Sequence, residues 1–464
     1  MELSGKRVTV MGLGALGGGV GVARFLAERG AEVTVTDAKD EAALTDSLAQ
    51  LADLPIRFRL GGHDERDFTS AGADMVVRNP GVPRTSPYLK AARSSRVPVE
   101  MEMTLFFRAC PAPILGISGT KGKTTVSTLC AGMLRAWKPE TVLAGNMGIS
   151  ALSLLPSITA ATPVVIELSS WQLEAMDEHR LGPYIGVLTN ISEDHLDQYN
   201  GFDDYARTKR TIGRHLGTDG AIVFNNDQPE TRHVTSRSVA RHVPFGLTDT
   251  GEDGAWLDDD TLRWRWQGET LDWPRPEHLA LAGDHGAANA LAALAAARLY
   301  GAGADAIGHG LATFTGIPYR LETVATVAGV VFINDTSATA PAATVAALSV
   351  LTERFRHVHL IAGGSDKRTD LSPLATAIAQ YDARVTLLDG TATGRLRELL
   401  DTAGVVYGGP YDDMDEAVRA ATASAGPGDV VVLSPGCASF GLFRNEFDRG
   451  EQFREAVRHL TSSE

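Results

Sequence analysis

The chain has 464 residues, more than one hydrophobic core usually supports, so two or three domains are expected. Its formal net charge of −14 argues against non-specific binding to nucleic acids or anionic membranes, because both need a basic surface. Cys110, Cys130 and Cys437 form no Cys-x-x-Cys pair, which argues against a disulfide framework or a thiolate zinc site. The chain shows neither a signal-peptide pattern nor an apolar run of membrane-spanning length, so we expect a cytoplasmic protein.

The first part of the chain alternates short β-branched runs with longer amphipathic stretches. Strands are predicted at residues 8–11, 32–36 and 74–77, and a helix at residues 17–28. A second such series begins after residues 111–113, with strands predicted at residues 114–117, 164–166, 186–189 and 221–224. This alternation is typical of a parallel sheet wrapped by helices.

The remaining part of the chain contains a tryptophan-rich segment and a third α/β series. Residues 249–276 alternate polar and aromatic side chains, which predicts a hairpin insertion. Strands of the third series are predicted at residues 330–333, 358–361, 384–388 and 430–433. We therefore expect an α/β protein with three domains, comprising residues 1–111, 112–316 and 317–464.

A glycine-rich motif, Gly12-Leu13-Gly14-Ala15-Leu16-Gly17, follows the first predicted strand and opens a helix. Glycines permit a tight turn and close backbone approach, so a diphosphate can sit at the helix N-terminus. Asp37 ends the next strand and could bind a ribose. The motif fits NAD or a UDP-sugar, and a glycine-rich turn that binds nothing remains an alternative.

A sharper signal is the stretch from Gly116 to Thr125, Gly-Ile-Ser-Gly-Thr-Lys-Gly-Lys-Thr-Thr, between a predicted strand and helix. Successive backbone N–H groups of such a loop can surround ATP phosphates. Lys123 could reach the β and γ oxygens, and the Thr124 hydroxyl could bind Mg²⁺. Gly116 lies six positions before Gly122, one more than the usual spacing. We interpret the stretch as a nucleotide-binding loop.

Further polar side chains follow the later strands. Glu167 could complete a Mg²⁺ shell or cap the next helix, and His195 could serve a metal, a substrate oxygen or a structural hydrogen bond. Lys209 is expected to be a solvated helix lysine. Asn289 in an alanine-rich helix, Arg320 and Asp335 are each commonplace when taken singly. Lys367 and Ser439 follow strands of the third series and could hold a substrate carboxylate, but each could equally lie in a loop without a ligand.

Taken together, these motifs resemble the Mur ligase family over nearly the whole chain. The motifs that carry the resemblance are Gly119-Thr-Lys-Gly-Lys-Thr124, Gly145-Asn-Met-Gly148, Glu167-Leu-Ser-Ser-Trp-Gln-Leu-Glu174, Asp194-His-Leu-Asp197, Arg320, Gly363-Gly-Ser-Asp-Lys367 and Ser434-Pro-Gly-Cys-Ala-Ser439. The resemblance implies a Rossmann-like N-terminal UDP-binding domain, a central P-loop-type ATPase domain and a C-terminal Rossmann-like domain that binds an amino acid.

The resemblance also implies an activity. The family pattern closest to this chain is that of an ADP-forming amide ligase of peptidoglycan synthesis, which adds glutamate, expected as the D isomer, to UDP-N-acetylmuramoyl-L-alanine through an acyl phosphate. ATP would be a co-substrate and two Mg²⁺ ions the cofactors. These small molecules would be the only partners, without nucleic acid or membrane, and the chain would act as a monomer.

The resemblance assigns a role to each candidate residue. Catalytic residues would be Lys123, Glu167, His195 and Lys209. ATP would be bound by Gly119, Thr120, Lys121, Gly122, Lys123, Thr124, Thr125, Asn289, Arg320 and Asp335. The UDP substrate would be bound by Gly14, Ala15, Leu16, Asp37, Asn79, Gly81, Asn146 and His195. The amino acid would be bound by Thr339, Lys367 and Ser439. Metal ligands would be Thr124, Glu167, His195 and Lys209, the last as a carbamate.

The sequence departs from the family pattern at three places, and other functions compete. Gly286 replaces an asparagine, which removes one expected nucleotide contact. Ser337 replaces a lysine, and Gly441 begins a changed stretch. These last two changes fall around the expected amino-acid pocket, so L-glutamate addition is an alternative. Folylpolyglutamate synthetase shares the phosphate loop but begins with the ATPase domain. A dehydrogenase explains only residues 1–40, and a non-catalytic scaffold predicts loss of the catalytic residues.

Overall fold

The structure is a computed structural model that describes residues 2–14, 18–145, 150–194, 199–276, 283–314, 316–366 and 369–462. The chain divides into two compact units, Met1–Glu277 with Leu281–Phe314, and Thr315–Glu464. Across these described ranges there are three β-sheets, two in the first unit and one in the second. None of the described helices combines the length and the apolar character that crossing a membrane requires.

The N-terminal sheet has, among the residues described, five parallel strands in the order β3-β2-β1-β4-β5. Its strands are β1 (Arg7–Met11), β2 (Glu32–Asp37), β3 (Arg57–Leu60), β4 (Met75–Arg78) and β5 (Val99–Met101), and its helices are α1 (Gly18–Glu28), α2 (Thr45–Ala49), α3 (Pro87–Ser94) and α4 (Glu102–Ala109). The three predicted strands are confirmed. Strand β3 was not predicted because it is partly exposed and carries two arginines, so it lacks the apolar character of the others.

The second sheet contains nine strands in the order β14-β13-β12-β11-β10-β9-β6-β8-β7, counted over the described ranges. Its strands are β6 (Ile114–Ser118), β7 (Val142–Gly145), β8 (Val164–Glu167), β9 (Ile185–Leu188), β10 (Ala221–Asn225), β11 (Arg241–Gly246), β12 (Gly254–Asp258), β13 (Thr261–Trp266) and β14 (Glu269–Pro274). Its helices are α5 (Lys123–Trp137), α6 (Ser170–Glu178), α7 (Phe202–Arg210), α8 (Pro229–Arg232), α9 (Gly283–Tyr300) and α10 (Ala304–Ala312).

The tryptophan-rich segment forms the edge of this second sheet. Strand β13 pairs antiparallel with both β12 and β14. Strand β12 also pairs parallel with β11, which joins this segment to the parallel strands of the sheet. The predicted hairpin is therefore confirmed, but it extends the sheet as a three-stranded meander and is no separate insertion. Trp256, Trp264 and Trp273 are buried, with Trp264 1% exposed, and the alanine-rich helix α9 packs against β10 to β13.

The third sheet has, in the described part of the second unit, six strands in the order β15-β16-β20-β17-β18-β19. Its strands are β15 (Glu322–Val327), β16 (Val330–Asn334), β17 (Val358–Gly363), β18 (Arg384–Leu388), β19 (Tyr407–Tyr411) and β20 (Val430–Leu433), and its helices are α11 (Pro341–Thr352), α12 (Ser372–Gln380), α13 (Thr393–Thr402), α14 (Met414–Thr422) and α15 (Glu446–Ser462). Only β15 runs antiparallel among these pairs. The four predicted strands are confirmed.

Candidate active site

Three loops of the second sheet emerge at the carboxyl ends of neighbouring parallel strands. Strand β6 lies between β8 and β9 and pairs parallel with both, with Ile117 opposite Glu167 and Ser118 opposite Leu188. The segments that follow these strands therefore meet at their shared carboxyl end. Open α/β sheets bind ligands at this edge.

The glycine-rich loop between β6 and α5 leaves no room for side chains at two of its glycines. Gly119 has φ +151°, and a Cβ there would lie 1.9 Å from Thr189 Oγ1. Gly122 has φ +79°, and a Cβ there would lie 2.4 Å from Asn289 Oδ1. Asn289 of α9 therefore packs directly against the loop, as expected for two parts of one nucleotide site.

The segment after β9 clamps the glycine-rich loop from the side. The Asn190 carboxamide accepts from Lys121 N at 2.8 Å through Oδ1 and donates to Lys121 O at 2.9 Å through Nδ2. Thr189 Oγ1 donates to the same carbonyl at 2.7 Å. Asn190 was missed from the sequence, although its place after a buried strand was a usable signal. These bonds hold the loop in a defined conformation, which is what phosphate binding needs.

The first turn of α5 carries the predicted cation and hydroxyls. Lys123 opens this 15-residue helix, and its Nζ donates to the carbonyls of Gly119 at 3.1 Å and Thr120 at 3.0 Å. Thr124 and Thr125 follow in the same turn. Backbone N–H groups at a helix N-terminus, together with the helix dipole, favour a bound phosphate.

Glu167 ends β8 and is 2% exposed. The alternative that it caps the following helix is wrong, because α6 is capped by Ser169. The Ser169 hydroxyl accepts from Gln172 N at 3.3 Å, and Gln172 Oε1 accepts from Ser169 N at 2.8 Å. The negative charge of Glu167 instead attracts the ammonium of Lys209. This attraction opposes, but does not cancel, the fall in the pKa of Lys209 that burial causes.

Lys209 is buried, which corrects the prediction of a solvated helix lysine. Its side chain is 2% exposed, and its Nζ donates to Ser118 Oγ at 3.4 Å. Burial, aided by the charge of Lys123, lowers the pKa of Lys209 to about 7. The amine is therefore partly neutral near neutral pH, and a neutral amine is a nucleophile.

Tyr205 lies on the same buried face of α7 as Lys209. It lies one turn before Lys209, and its hydroxyl is 3.2 Å from Thr120 Oγ1 in the glycine-rich loop. The Lys209 ammonium lies 5.4 Å from the centre of the Tyr205 ring. Sequence reasoning missed Tyr205, although its spacing of four residues from Lys209 places both on one helix face.

The donors around the glycine-rich loop fit a magnesium–nucleotide complex. Mg²⁺ usually takes one or two carboxylates and completes its shell with waters and substrate phosphates. Glu167 is such a carboxylate, and the Thr124 hydroxyl lies on the adjoining helix turn. In the ranges covered by the structure, no group of three or more His, Cys, Asp or Glu side chains could hold a metal alone. His195 lies outside the described residues.

In the N-terminal sheet, Asp37 stabilises the first glycine motif itself. Its Oδ2 accepts from Leu13 N at 2.8 Å and Gly14 N at 3.2 Å, and its Oδ1 accepts from Lys39 N at 2.9 Å. Asn79 lies beside this motif, and its Oδ1 accepts from Gly81 N at 3.1 Å. Their contacts with a substrate stay predictions. The candidates Ala15, Leu16 and Asn146 lie outside the described residues.

In the second unit, Asp335 follows β16 and is 7% exposed. Its Oδ2 accepts from Ser434 Oγ at 2.7 Å, and its Oδ1 accepts from Leu321 N at 3.1 Å. Burial raises the pKa of Asp335 to about 6, while these donors and the nearby charge of Arg320 oppose the rise. Arg320 is exposed.

The raised pKa of Asp335 predicts a pH-dependent stability. Between about pH 4 and pH 6 the folded chain holds this proton more tightly than the unfolded chain, so stability falls as pH rises through that window. Asp335→Asn removes this loss. The free energy of unfolding of the variant minus that of wild type, measured by urea unfolding, should therefore rise by about 1 to 1.5 kcal/mol as the pH is raised from 5 to 7.5. A difference independent of pH would contradict the prediction.

The loops expected to bind the amino acid meet at the carboxyl edge of the third sheet. Ser439 is 3% exposed, and its neighbour Ala438 exchanges backbone hydrogen bonds with Ser365 at 2.8 and 3.1 Å. Gly436 N donates to Ala338 O at 2.8 Å, which ties the loop of Thr339 to that of Ser439. Lys367, two positions after Ser365, lies outside the described residues.

Three family models match successive parts of the chain. They are "Mur ligase MurD-like, N-terminal domain" over residues 6–100, "Mur ligase middle domain" over residues 117–297 and "Mur ligase, glutamate ligase domain" over residues 319–437. Each match falls on one of the three sheets. The predicted three-domain α/β fold is therefore confirmed.

Full-length relatives and a solved structure agree with these matches. The chain is 47% identical to the UDP-N-acetylmuramoylalanine–D-glutamate ligase of Roseiflexus sp. (strain RS-1), over 99% of this chain and 100% of that protein. It is 37% identical to the protein of that name from Geobacter metallireducens (strain ATCC 53774 / DSM 7210 / GS-15), over all of both chains. The crystal structure of UDP-N-acetylmuramate-alanine ligase from Thermotoga maritima shares the fold, with TM-score 0.58, 20% identity and coverage of 99% and 100%. The chain belongs to the Mur ligase family.

Proposed function

We propose that this chain is an ATP-dependent, ADP-forming ligase that joins D-glutamate to UDP-N-acetylmuramoyl-L-alanine. The observation that carries the proposal is the single sheet edge that holds the glycine-rich loop, the buried Glu167 and the buried Lys209. The names of the full-length relatives support D-glutamate as the amino acid. The protein would act in the cytoplasm as a monomer, in peptidoglycan synthesis.

Lys209 would act as a carbamate. Its neutral amine attacks CO₂, a nitrogen–carbon bond forms, and loss of one proton leaves an anionic carbamate. This chemistry needs an unprotonated amine, which the lowered pKa of about 7 provides. Thr124, Glu167, His195 and the carbamate would hold two Mg²⁺ ions. Bound Mg²⁺ supplies positive charge to phosphate oxygens.

The remaining residues would position the reactants. The loop from Gly119 to Gly122 binds ATP phosphates through backbone N–H groups, and Lys123 stabilises negative charge as the substrate carboxylate attacks the γ-phosphorus and ADP leaves. The glutamate amine then attacks the acyl phosphate, phosphate departs, and the amine loses a proton.

We assign the three predicted ranges to the three reactants. Residues 1–111 would bind the UDP moiety through the first glycine motif, Asp37 and Asn79. Residues 112–316 would bind ATP, and the ATP contacts expected of Arg320 and Asp335 stay predictions from the sequence. Residues 317–464 would bind glutamate, whose two carboxylates need cationic or hydroxyl partners such as Lys367 and Ser439.

Phosphate release from ATP tests the proposal directly. With UDP-N-acetylmuramoyl-L-alanine present, we expect turnover with D-glutamate and at least 100-fold less with L-glutamate, because a site that holds both carboxylates and the amine discriminates between mirror images. Turnover with the L isomer alone would mean that the changes at Ser337 and Gly441 altered the pocket. Silence with both isomers and turnover with a folate substrate would favour the folylpolyglutamate synthetase alternative.

A further inference from the structure

Arg449 of α15 is a fully buried cation that the sequence reasoning did not single out. Its side chain is 0% exposed. Its Nε donates to Thr336 Oγ1 at 2.9 Å, its Nη2 to Thr336 O at 3.0 Å and its Nη1 to Cys437 O at 3.2 Å. All three acceptors are uncharged oxygens, and no carboxylate of the described residues accepts a hydrogen bond from this guanidinium.

The charge on Arg449 is retained, and within the described ranges no carboxylate hydrogen-bonded to it balances it. Burial lowers the pKa of its guanidinium to about 10, which is still high enough to keep the side chain protonated at neutral pH. Cys437 and, less strongly, Glu446 oppose this fall in pKa only in part. A buried charge without an ionic partner is costly, and carbonyl and hydroxyl dipoles compensate it only in part. Positive potential is therefore left over in this part of the second unit.

Arg449 lies where the three amino-acid loops meet. Thr336 belongs to the loop that carries Thr339, and Cys437 belongs to the loop that carries Ser439. The third loop contains Gly364, where a Cβ would lie 3.5 Å from Arg449 Nη1. Residues proposed to bind the substrate thus sit on three separate loops that share one guanidinium.

Resting on the proposed function, we propose that Arg449 is the positioning residue that makes this pocket select an amino acid with two carboxylates. Its hydrogen bonds fix two of the loops relative to each other, and its guanidinium lies beside the third loop at Gly364. Its positive charge favours an amino acid with two carboxylates over an analogue whose side chain is uncharged. A tie between loops alone would not need a charge, since neutral or apolar side chains of similar volume hold buried segments at lower cost.

Steady-state kinetics of Arg449→Lys and Arg449→Met test this inference, with Arg458→Met, an exposed position on the same helix, as the control. Each KM is measured separately for D-glutamate, ATP and the UDP substrate, and D-glutamine serves as the neutral competitor. We expect the KM for D-glutamate to rise about 10-fold in the Lys variant and about 100-fold in the Met variant. The other KM values and kcat should stay within about 3-fold, and the preference for D-glutamate over D-glutamine should fall.

The outcomes separate this inference from the proposed function. If wild type releases no phosphate with glutamate, the proposed function fails. If wild type is active and the KM values for glutamate and ATP rise together, Arg449 has only a structural role and the inference fails. An unchanged KM for glutamate also overturns it. If the Met variant does not fold, the Lys variant, which keeps the charge but loses the forked donors, decides by the same criterion.

Discussion

Lys209→Met should reduce ligase activity about 1,000-fold or more while leaving a folded protein. The substitution keeps the volume of a buried side chain that lies 3.4 Å from Ser118 Oγ, but it removes the amine that would carry the carbamate. Loss of a single preorganised electrostatic group at a reacting centre costs 10²–10³-fold, and loss of a group that also holds metal costs more. Added bicarbonate should not restore activity.

The stability of this variant distinguishes a catalytic loss from unfolding. Burial lowers the pKa of Lys209, so the folded chain holds its proton less tightly than the unfolded chain between about pH 7 and pH 10.5. The ionised lysine therefore costs stability in full below pH 7, and this cost disappears as pH rises through that window. Lys209→Met has no such cost and should be no less stable than wild type at pH 7.

Two controls complete the Lys209 experiment. Lys90→Met changes an exposed lysine on α3 and should keep full activity. ¹³C-labelled bicarbonate should give wild type a carbamate carbon resonance that is absent from Lys209→Met. Full activity in the Met variant, or a resonance that persists in it, would remove the carbamate from the mechanism.

The elements that the sequence predicted are those whose signal lies within a short stretch of residues. The parallel strands β6, β8, β9 and β10, which are neighbours in the sheet, are buried throughout, so they appear in the sequence as continuous apolar runs. The glycine-rich loop was predicted for a similar reason, because its backbone excludes side chains at Gly119 and Gly122.

What the sequence could not predict depends on contacts between distant segments. Burial of Lys209 depends on packing against Ser118, 91 positions away, and nothing in the composition of α7 indicates it. The buried charge of Arg449 likewise depends on its three-dimensional neighbours, and the place of Asn190 after a buried strand marks it as a candidate without showing that it binds Lys121. The capping alternative for Glu167 could be rejected only once the bonds between Ser169 and Gln172 were known.

Glu167→Gln should lower kcat by about 100-fold and raise the Mg²⁺ concentration needed for half-maximal activity about 10-fold. The two side chains have nearly the same shape, so packing around this 2% exposed residue is kept while its negative charge is lost. A carboxamide is a weaker Mg²⁺ ligand than a carboxylate, since Mg²⁺ sites rely on charged oxygens. The change also removes an attraction that raises the pKa of Lys209, so that pKa should fall further.

Glu178→Gln on the following helix is the matched control. Glu178 is exposed and pairs with Arg93 at 3.6 Å, and exposed ion pairs contribute little, so activity should stay within about 2-fold of wild type. Titrating Mg²⁺ at saturating ATP then separates two roles for Glu167. A lower kcat with an unchanged Mg²⁺ requirement would mean that the carboxylate acts through Lys209 and not as a metal ligand, whereas unchanged activity would place Glu167 outside the catalytic machinery.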